Sequence, residues 1–223
     1  MAPVLIGVLA VAAAGTIAAL VYAADRRRRA GLTEYCLTRG YQLERERSGA
    51  QERLVDGFAV FRQGHHRRWR WTISGALGGR AFTAFDYSYA TGGGNSARRH
   101  RFAMMLWESP DTRLPRFSLA PEGFFQRLGQ RFGVKDYDFT DDPEFSRAYQ
   151  LQGDDEAAVR ALFTPARRAY LLAAGATMEK PRRHHLAGAG SRLLWWRNGR
   201  LPGLEELDQF LADGDAVRRQ FLG

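Results

Sequence analysis

Asp86 stands between Phe85 and Tyr87 in an alternating run, Ala81 to Ala90, where its carboxylate would lie partly buried in a strand. A carboxylate held that way recurs as a general acid or base, because burial moves its pKa toward the working range. The same placement suits a structural ion pair, and pairing with an arginine of a neighbouring strand, Arg70 or Arg101, is the use expected here. A second group of acids, Asp136, Asp138, Asp141, Asp142 and Glu144, falls within nine residues. Such a density can chelate a divalent cation or supply an acid/base pair. The spacing is not that of a calcium loop, because no glycine occupies its sixth position and no glutamate closes it. It reads as a solvated acidic loop in which Asp142, before Pro143, caps a short turn.

Three other constellations offer less. Gly92-Gly93-Gly94, followed by Arg98, Arg99, His100 and Arg101, could cradle a phosphate, but it lacks the Gly-Lys-Ser/Thr ending of a P-loop and reads as a hairpin tip. His65-His66 and His184-His185 are adjacent pairs, which in a strand point to opposite faces, and both lie beside arginines that repel a cation. They are expected to extend a basic surface, and no metal site or cofactor is expected. No Ser/His/Asp or Cys/His pattern has supporting context. A non-catalytic binding or scaffold module is therefore the expectation, against a hydrolase-like membrane-surface enzyme using Asp86 or the acidic loop 136–144.

Charge and hydropathy say where such a module would sit. Residues 1–24 carry no side chain charged at neutral pH and are apolar over the length a bilayer demands, although nine of them are alanine. Asp25 and the collar Arg26, Arg27, Arg28 and Arg29 follow at once, so the positive-inside rule predicts a single span of the cell membrane with the N-terminus outside and the body cytosolic. Four arginines after the apolar run also oppose export and cleavage. Small residues at four-residue spacing, Ala10, Ala14 and Ala18, suit self-association of the span or a protein partner. The positive excess lies entirely in the first 120 residues: +3 over 1–29, +6 over 30–120 and 0 over 121–223. A basic surface beside a bilayer attracts anionic headgroups. The predicted contacts are the collar, then Arg67, Arg68 and Arg70, then Arg98, Arg99 and Arg101; no nucleic-acid partner is expected. The lone Cys36 closes no disulfide within the chain, which agrees with a reducing compartment.

The elements that must hold these residues follow from periodicity. Leu32, Tyr35 and Cys36 mark one face of a stalk helix ended by Gly40, and the polar residues 44–53 read as a linker. Trp69, Trp71 and Ile73 alternate with Arg68, Arg70 and Thr72, predicting a half-buried strand. Ala81 to Ala90 predicts the next strand, with Thr83, Phe85, Tyr87 and Tyr89 on one face and Phe82, Ala84, Asp86 and Ser88 on the other. Phe102 to Trp107 is apolar on both faces and suits the sheet centre. A helix is expected from Pro121 to Phe132, then a strand at Tyr149 to Gln152, a helix capped by Asp154, and another from Thr164-Pro165. Two strands, around Ala176 to Lys180 with His185-Leu186, and Leu193 to Arg197, precede a last amphipathic helix holding Leu204, Leu207, Phe210 and Leu211. The class is α+β: a transmembrane helix (1–24), a collar, stalk and linker (25–54), and a cytosolic antiparallel sheet domain with amphipathic helices packed on it (55–223).

Three stretches carry a resemblance: Phe85-Asp86-Tyr87-Ser88-Tyr89-Ala90-Thr91 with its glycine-rich continuation, Leu114-Pro115 leading to Pro121-Glu122-Gly123, and Pro143-Glu144-Phe145-Ser146 before Tyr149. Over roughly residues 31–211 the chain resembles a family of functionally uncharacterised bacterial single-span membrane-anchored α+β proteins. The resemblance implies the anchored architecture but transfers no catalytic residue, and the basic stretch Gln63 to Arg70 departs from it.

Overall fold

The structure, a computed structural model, describes residues 2–46, 53–124, 136–176 and 183–223, with the side chains of 2–14, 46 and 95 outside the description. Eight strands form one antiparallel sheet. β1 (Gln42–Glu46), β2 (His65–Leu77), β3 (Arg80–Thr91) and β4 (Arg98–Glu108) run as a meander; beyond β4 lie β8 (Arg192–Asn198), β7 (His185–Gly190), β5 (Leu114–Pro121) and β6 (Tyr149–Gly153). β4 occupies the middle because it alternates without a polar face from Phe102 to Trp107: Ala103, Met105 and Trp107 belong to one core, and Phe102, Met104 and Leu106 to the other.

Both faces of such a sheet must be covered. One takes the helices: the C-terminal part of α1 (Ala2–Arg39), α2 (Pro143–Ala148), α3 (Glu156–Leu162), α4 (Pro165–Ala176) and α5 (Leu204–Leu222). Leu32, Tyr35 and Cys36 of α1, Val159 of α3, Leu171 of α4 and Leu207, Phe210, Val217 and Phe221 of α5 share its core. The other face is covered by the segment between β1 and β2, through Val55, Phe58, Val60 and Phe61, and by Phe124. There Trp69 stacks on Phe85 at 3.5 Å between centroids and Phe61 meets Tyr87 edge-on at 4.8 Å.

α1 ends as its glycine predicts. Gly40 has φ +68, Gly40 N–H donates to Leu37 O at 3.3 Å and Tyr41 N–H to Cys36 O at 2.8 Å, the paired bonds of a Schellman motif. Tyr35 Oη donates to Asp208 at 2.6 Å, Arg39 pairs with the same carboxylate at 2.5 Å, and Gly31 lies against Leu204, so the helix is fixed to α5. Among the described residues no helix is long and apolar enough to cross a membrane. Residues 1–14 of the predicted span lie outside the described side chains, while Ile17, Leu20, Val21 and Tyr22 are 62–71% exposed.

Several expectations are corrected. Part of the presumed linker is β1, paired with β2 from Gln42 opposite Ser74 to Glu46 opposite Arg70. Trp69 and Trp71 do not share a face: Trp71 has φ +52 and the register shifts between Arg70 and Ile73, so a bulge turns Trp71 to the helical face. Pro121 ends β5 opposite Tyr149 instead of opening a helix, Glu122 and Gly123 form a turn, and residues 125–132 of that predicted helix lie outside the described residues. Asp155, not Asp154, caps α3, accepting from Ala158 N–H at 3.0 Å. Ala176 closes α4, and β7 starts only at His185.

Gly214 shows how closely α5 approaches the sheet. A Cβ there would come within 2.5 Å of Met105 Sδ and 2.9 Å of the Trp195 ring. Alanine improves helix propensity by about 1 kcal/mol, but overpacking costs about 1–3 kcal/mol. Gly214→Ala is therefore expected to lower stability by about 1 kcal/mol, read as a lower urea midpoint at unchanged slope.

Candidate functional site

The adjacent strands β2, β3 and β4 set their arginines in rungs. Antiparallel register puts Arg68 opposite Ser88 and Ser88 opposite Arg101, while Arg70 stands opposite Asp86. Directly opposed residues project to the same side of a sheet. Arg99 and Arg101, two apart on β4, share that side with Asp86 and Ser88. At this end of the sheet α1 passes close by, carrying Arg28, and the turn after β8 delivers Arg200 and Leu201. The result is a cavity of about 290 Å³ lined by six arginines, Arg28, Arg68, Arg70, Arg99, Arg101 and Arg200, with Asp25, Asp86, Trp71, Tyr87 and Ser88.

Asp86 is the floor of the arrangement, with a side chain 17% exposed. It accepts a hydrogen bond from Leu201 N–H through Oδ1 and lies 3.6 Å from Arg28 Nη2 through Oδ2. Arg28 Nη2 also donates to Leu201 O at 2.7 Å, so three distant segments close on one carboxylate. Burial pushes the Asp86 pKa above the usual carboxylate range, opposed by the Leu201 bond and by Arg28, Arg200 and Arg70. The arginine within ion-pair distance is Arg28 of the collar, on α1, and not the expected Arg70 or Arg101 of a neighbouring strand. Asp25 is engaged elsewhere, 3.3 Å from Arg45. Among the described residues no carboxylate pairs with Arg68, Arg70, Arg99, Arg101 or Arg200, and Arg28 Nε is buried without a partner.

The remaining predicted contacts separate from this pocket. Arg67 folds back onto the backbone, donating to Arg62 O at 2.9 Å and to Gln63 O at 3.1 Å. Arg98 is one residue out of step with Arg99 and Arg101 and projects to the other face, with His100, whose pKa burial and then Arg98 lower. Arg26 and Arg29 lie together on α1 beside Thr33 and Leu37, and Arg27 is exposed. Arg200 was missed in the sequence; its signal is the Asn198-Gly199 turn immediately before it, which leaves the next side chain at a sheet end.

The acidic loop and the second histidine pair are structural. Asp142 accepts from Phe145 N–H at 3.1 Å and caps α2, and with Asp141 it grips the buried Arg168 at 2.8 and 2.7 Å. The Arg168 guanidinium holds the Asp142 carboxyl below the usual range. Asp136 accepts from Leu151 N–H at 3.0 Å. His184 and His185 are buried, contrary to the basic surface expected of them; Trp195 Nε1 donates to His184 Nδ1 at 2.8 Å, and burial, then Arg197, pushes its pKa down to about 4. Burial disfavours the charged imidazole, and the indole N–H takes Nδ1 as its acceptor. Among the described residues no group of three His, Cys, Asp or Glu side chains is arranged to hold a metal.

No protein-family model matches the chain, and no curated protein matches its sequence. The crystal structure of the mycobacterial trehalose monomycolate transport factor A is similar to it, with a TM-score of 0.55 and 12% identity over 88% of this chain and 90% of that one. At that identity the likeness concerns the fold alone.

The raised pKa of Asp86 fixes the sign of its pH effect. The folded state holds this proton more tightly than the unfolded chain, so stability falls as pH rises from the ordinary carboxylate value through the raised one. Asp86→Asn keeps an acceptor for Leu201 N–H and is expected to remove that decline, with stability at neutral pH within about 1 kcal/mol of the parent. Asp86→Ala strands the amide and is expected to cost about 1–3 kcal/mol. Denaturant titrations of both variants from pH 4 to 8 measure the difference.

Proposed function

We propose that the protein is a non-catalytic binding module held at the cytosolic face of the cell membrane by one span, residues 1–24, with its N-terminus outside and its basic pocket turned toward anionic headgroups. The observation that carries this reading is the gathering of Arg28, Arg68, Arg70, Arg99 and Arg101, five of the ten arginines expected to meet lipid and one of them, Arg28, from the collar, around one cavity. The uncharged run 1–24 and the four arginines after it support the span and its orientation. The engaged oxygens of Asp86 support binding over catalysis, because a carboxylate already accepting from an amide and facing a guanidinium is a poor base. The neighbour of similar fold is a transport factor, which agrees with a binding role. On this reading the chain is one of the bacterial membrane-anchored α+β proteins it resembles.

A second reading, a hydrolase-like enzyme at the membrane surface, draws on the same acid: Asp86 lies in a pocket and its pKa is raised. Hydrolysis of a phosphomonoester by the full chain, lost in Asp86→Asn, would favour it.

Two measurements test the first reading. A cytosolic fluorescent reporter fused after Gly223 is expected to be active and alkaline phosphatase at the same position silent; the reverse pattern would put the domain outside. In nanodiscs containing anionic lipid, amides of residues 65–71 and 98–101 of the full chain are expected to exchange hydrogen more slowly than in neutral discs at about 0.1 M salt. Screening shortens to about 3 Å at 1 M, so the difference should vanish there. Equal exchange in both discs at low salt would mean that this face does not meet lipid.

A further inference from the structure

Six arginines around a cavity of about 290 Å³ form an unusual surface, because like charges repel and the described residues answer them with so few carboxylates. Asp25 is paired with Arg45, and of the six only Arg28 comes within ion-pair distance of Asp86. The guanidinium is planar, stays charged and presents paired donors that match a tetrahedral oxyanion. The positions are also built rather than scattered. Arg70 and Arg101 stand on two strands either side of Asp86 and Ser88, Arg28 is fixed by Leu201 O, and Arg200 follows the β8 turn.

We propose that this pocket binds a single phosphate group, with Arg28, Arg70, Arg101 and Arg200 as its donors and the Asp86 carboxylate as the internal anion with which it competes. The proposal rests on the reading of this face as a binding surface, but it replaces a diffuse attraction by one saturable site with defined geometry. Phosphate can arrive on a lipid headgroup, as in phosphatidate, or free in solution, and both present the same terminal oxygens. Asp86 then has two uses: its charge holds Arg28 in place beside it, and it lowers affinity for any anion that does not bring enough charge to displace its hold. A phosphomonoester, with close to two negative charges near neutral pH, meets that condition better than a diester.

The test uses the full chain in nanodiscs. In neutral discs, inorganic phosphate is titrated by calorimetry at constant ionic strength, with chloride as control; in a second series, discs doped with phosphatidate are compared with discs doped with equal phosphatidylglycerol. One equivalent of phosphate is expected to bind saturably, or the phosphatidate discs to show protection of residues 68–70 and 99–101 beyond that in phosphatidylglycerol; the first marks a soluble source and the second a lipid one. Arg70→Lys with Arg101→Lys keeps the charge and loses the paired donors, and is expected to weaken binding at least tenfold. Asp86→Asn, which removes the competing charge, is expected to strengthen it severalfold. Thermal melting without phosphate shows that each variant is folded. No saturable binding from either source, or a double lysine variant that binds as the parent does, overturns the pocket. In that event a salt-sensitive protection in phosphatidylglycerol discs would still leave the surface reading standing.

Discussion

The contact among Arg28, Asp86 and Leu201 joins three parts of the chain that are far apart in sequence. A carboxylate inside a sheet face cannot be left without partners, since an unpaired buried charge costs several kcal/mol. Leu201 N–H and the Arg28 guanidinium answer it, and Leu201 O in turn holds Arg28. The loop after β8 is thereby drawn to the middle of β3, and the helix leaving the N-terminal segment is seated on both. Contacts along α1 repeat the constraint, with Gly31 against Leu204 and Tyr35 and Arg39 on Asp208. The direction in which α1 leaves the domain is thus set by packing and hydrogen bonds over several turns.

A wide sheet that is apolar on both sides in its middle needs two covers of different construction. On one side the helices present periodic apolar faces, and α5 comes so near that a glycine is required at position 214. On the other, a short segment with a 3-10 helix at Ala59–Arg62 places Phe58, Val60 and Phe61 against Trp69, Phe85 and Tyr87, and aromatic stacking supplies contact area that a short segment of backbone could not. The bulge at Trp71 lets one strand serve both sides: Trp69 faces this segment, while Trp71 turns toward the helical side and borders the basic pocket.

Local periodicity made much of this legible. The face assignment of β3, the double-sided β4, the Gly40 stop and the Asp142 cap are all decided within a few residues of the chain, and each appears as expected. What periodicity misreads is decided at long range or by a single backbone dihedral. No pattern around Trp71 announces a residue with positive φ, so simple alternation carries it to the wrong face. The partner of Asp86 on the loop lies 115 residues away in sequence, and the register of β2 and β4 alone suggests the nearer arginines. His184 and His185 look basic beside Arg182 and Arg183 because sequence adjacency hides that β7 runs into the sheet interior, where Trp195 takes the imidazole. In the pocket, the arginines of β2 and β4 could be read as a set, whereas Arg200 belongs to it only because the chain turns at Asn198-Gly199.

The position of the pocket along α1 bears on what can reach it. α1 is one continuous helix from Ala2 to Arg39, so depth and sequence are related by about 1.5 Å per residue. If residues 1–24 span the bilayer as proposed, Arg28 stands about 6 Å beyond the last apolar residue. The headgroup layer outside the hydrocarbon core is about 5–8 Å thick on each side. Arg28 would then stand at phosphate depth while its Nη2 still reaches Asp86 and Leu201 inside the domain. The rungs of Arg68, Ser88 and Arg101 and of Arg70 and Asp86 share the cavity with it, so the face nearest the bilayer would be the one with excess positive charge. Because the Schellman motif and the Asp208 contacts fix the far end of the same helix, a tilt of the span would move Arg28 against Asp86 instead of being absorbed by a flexible joint. Occupancy of the pocket and the angle at which the domain meets the membrane would therefore be coupled through one guanidinium.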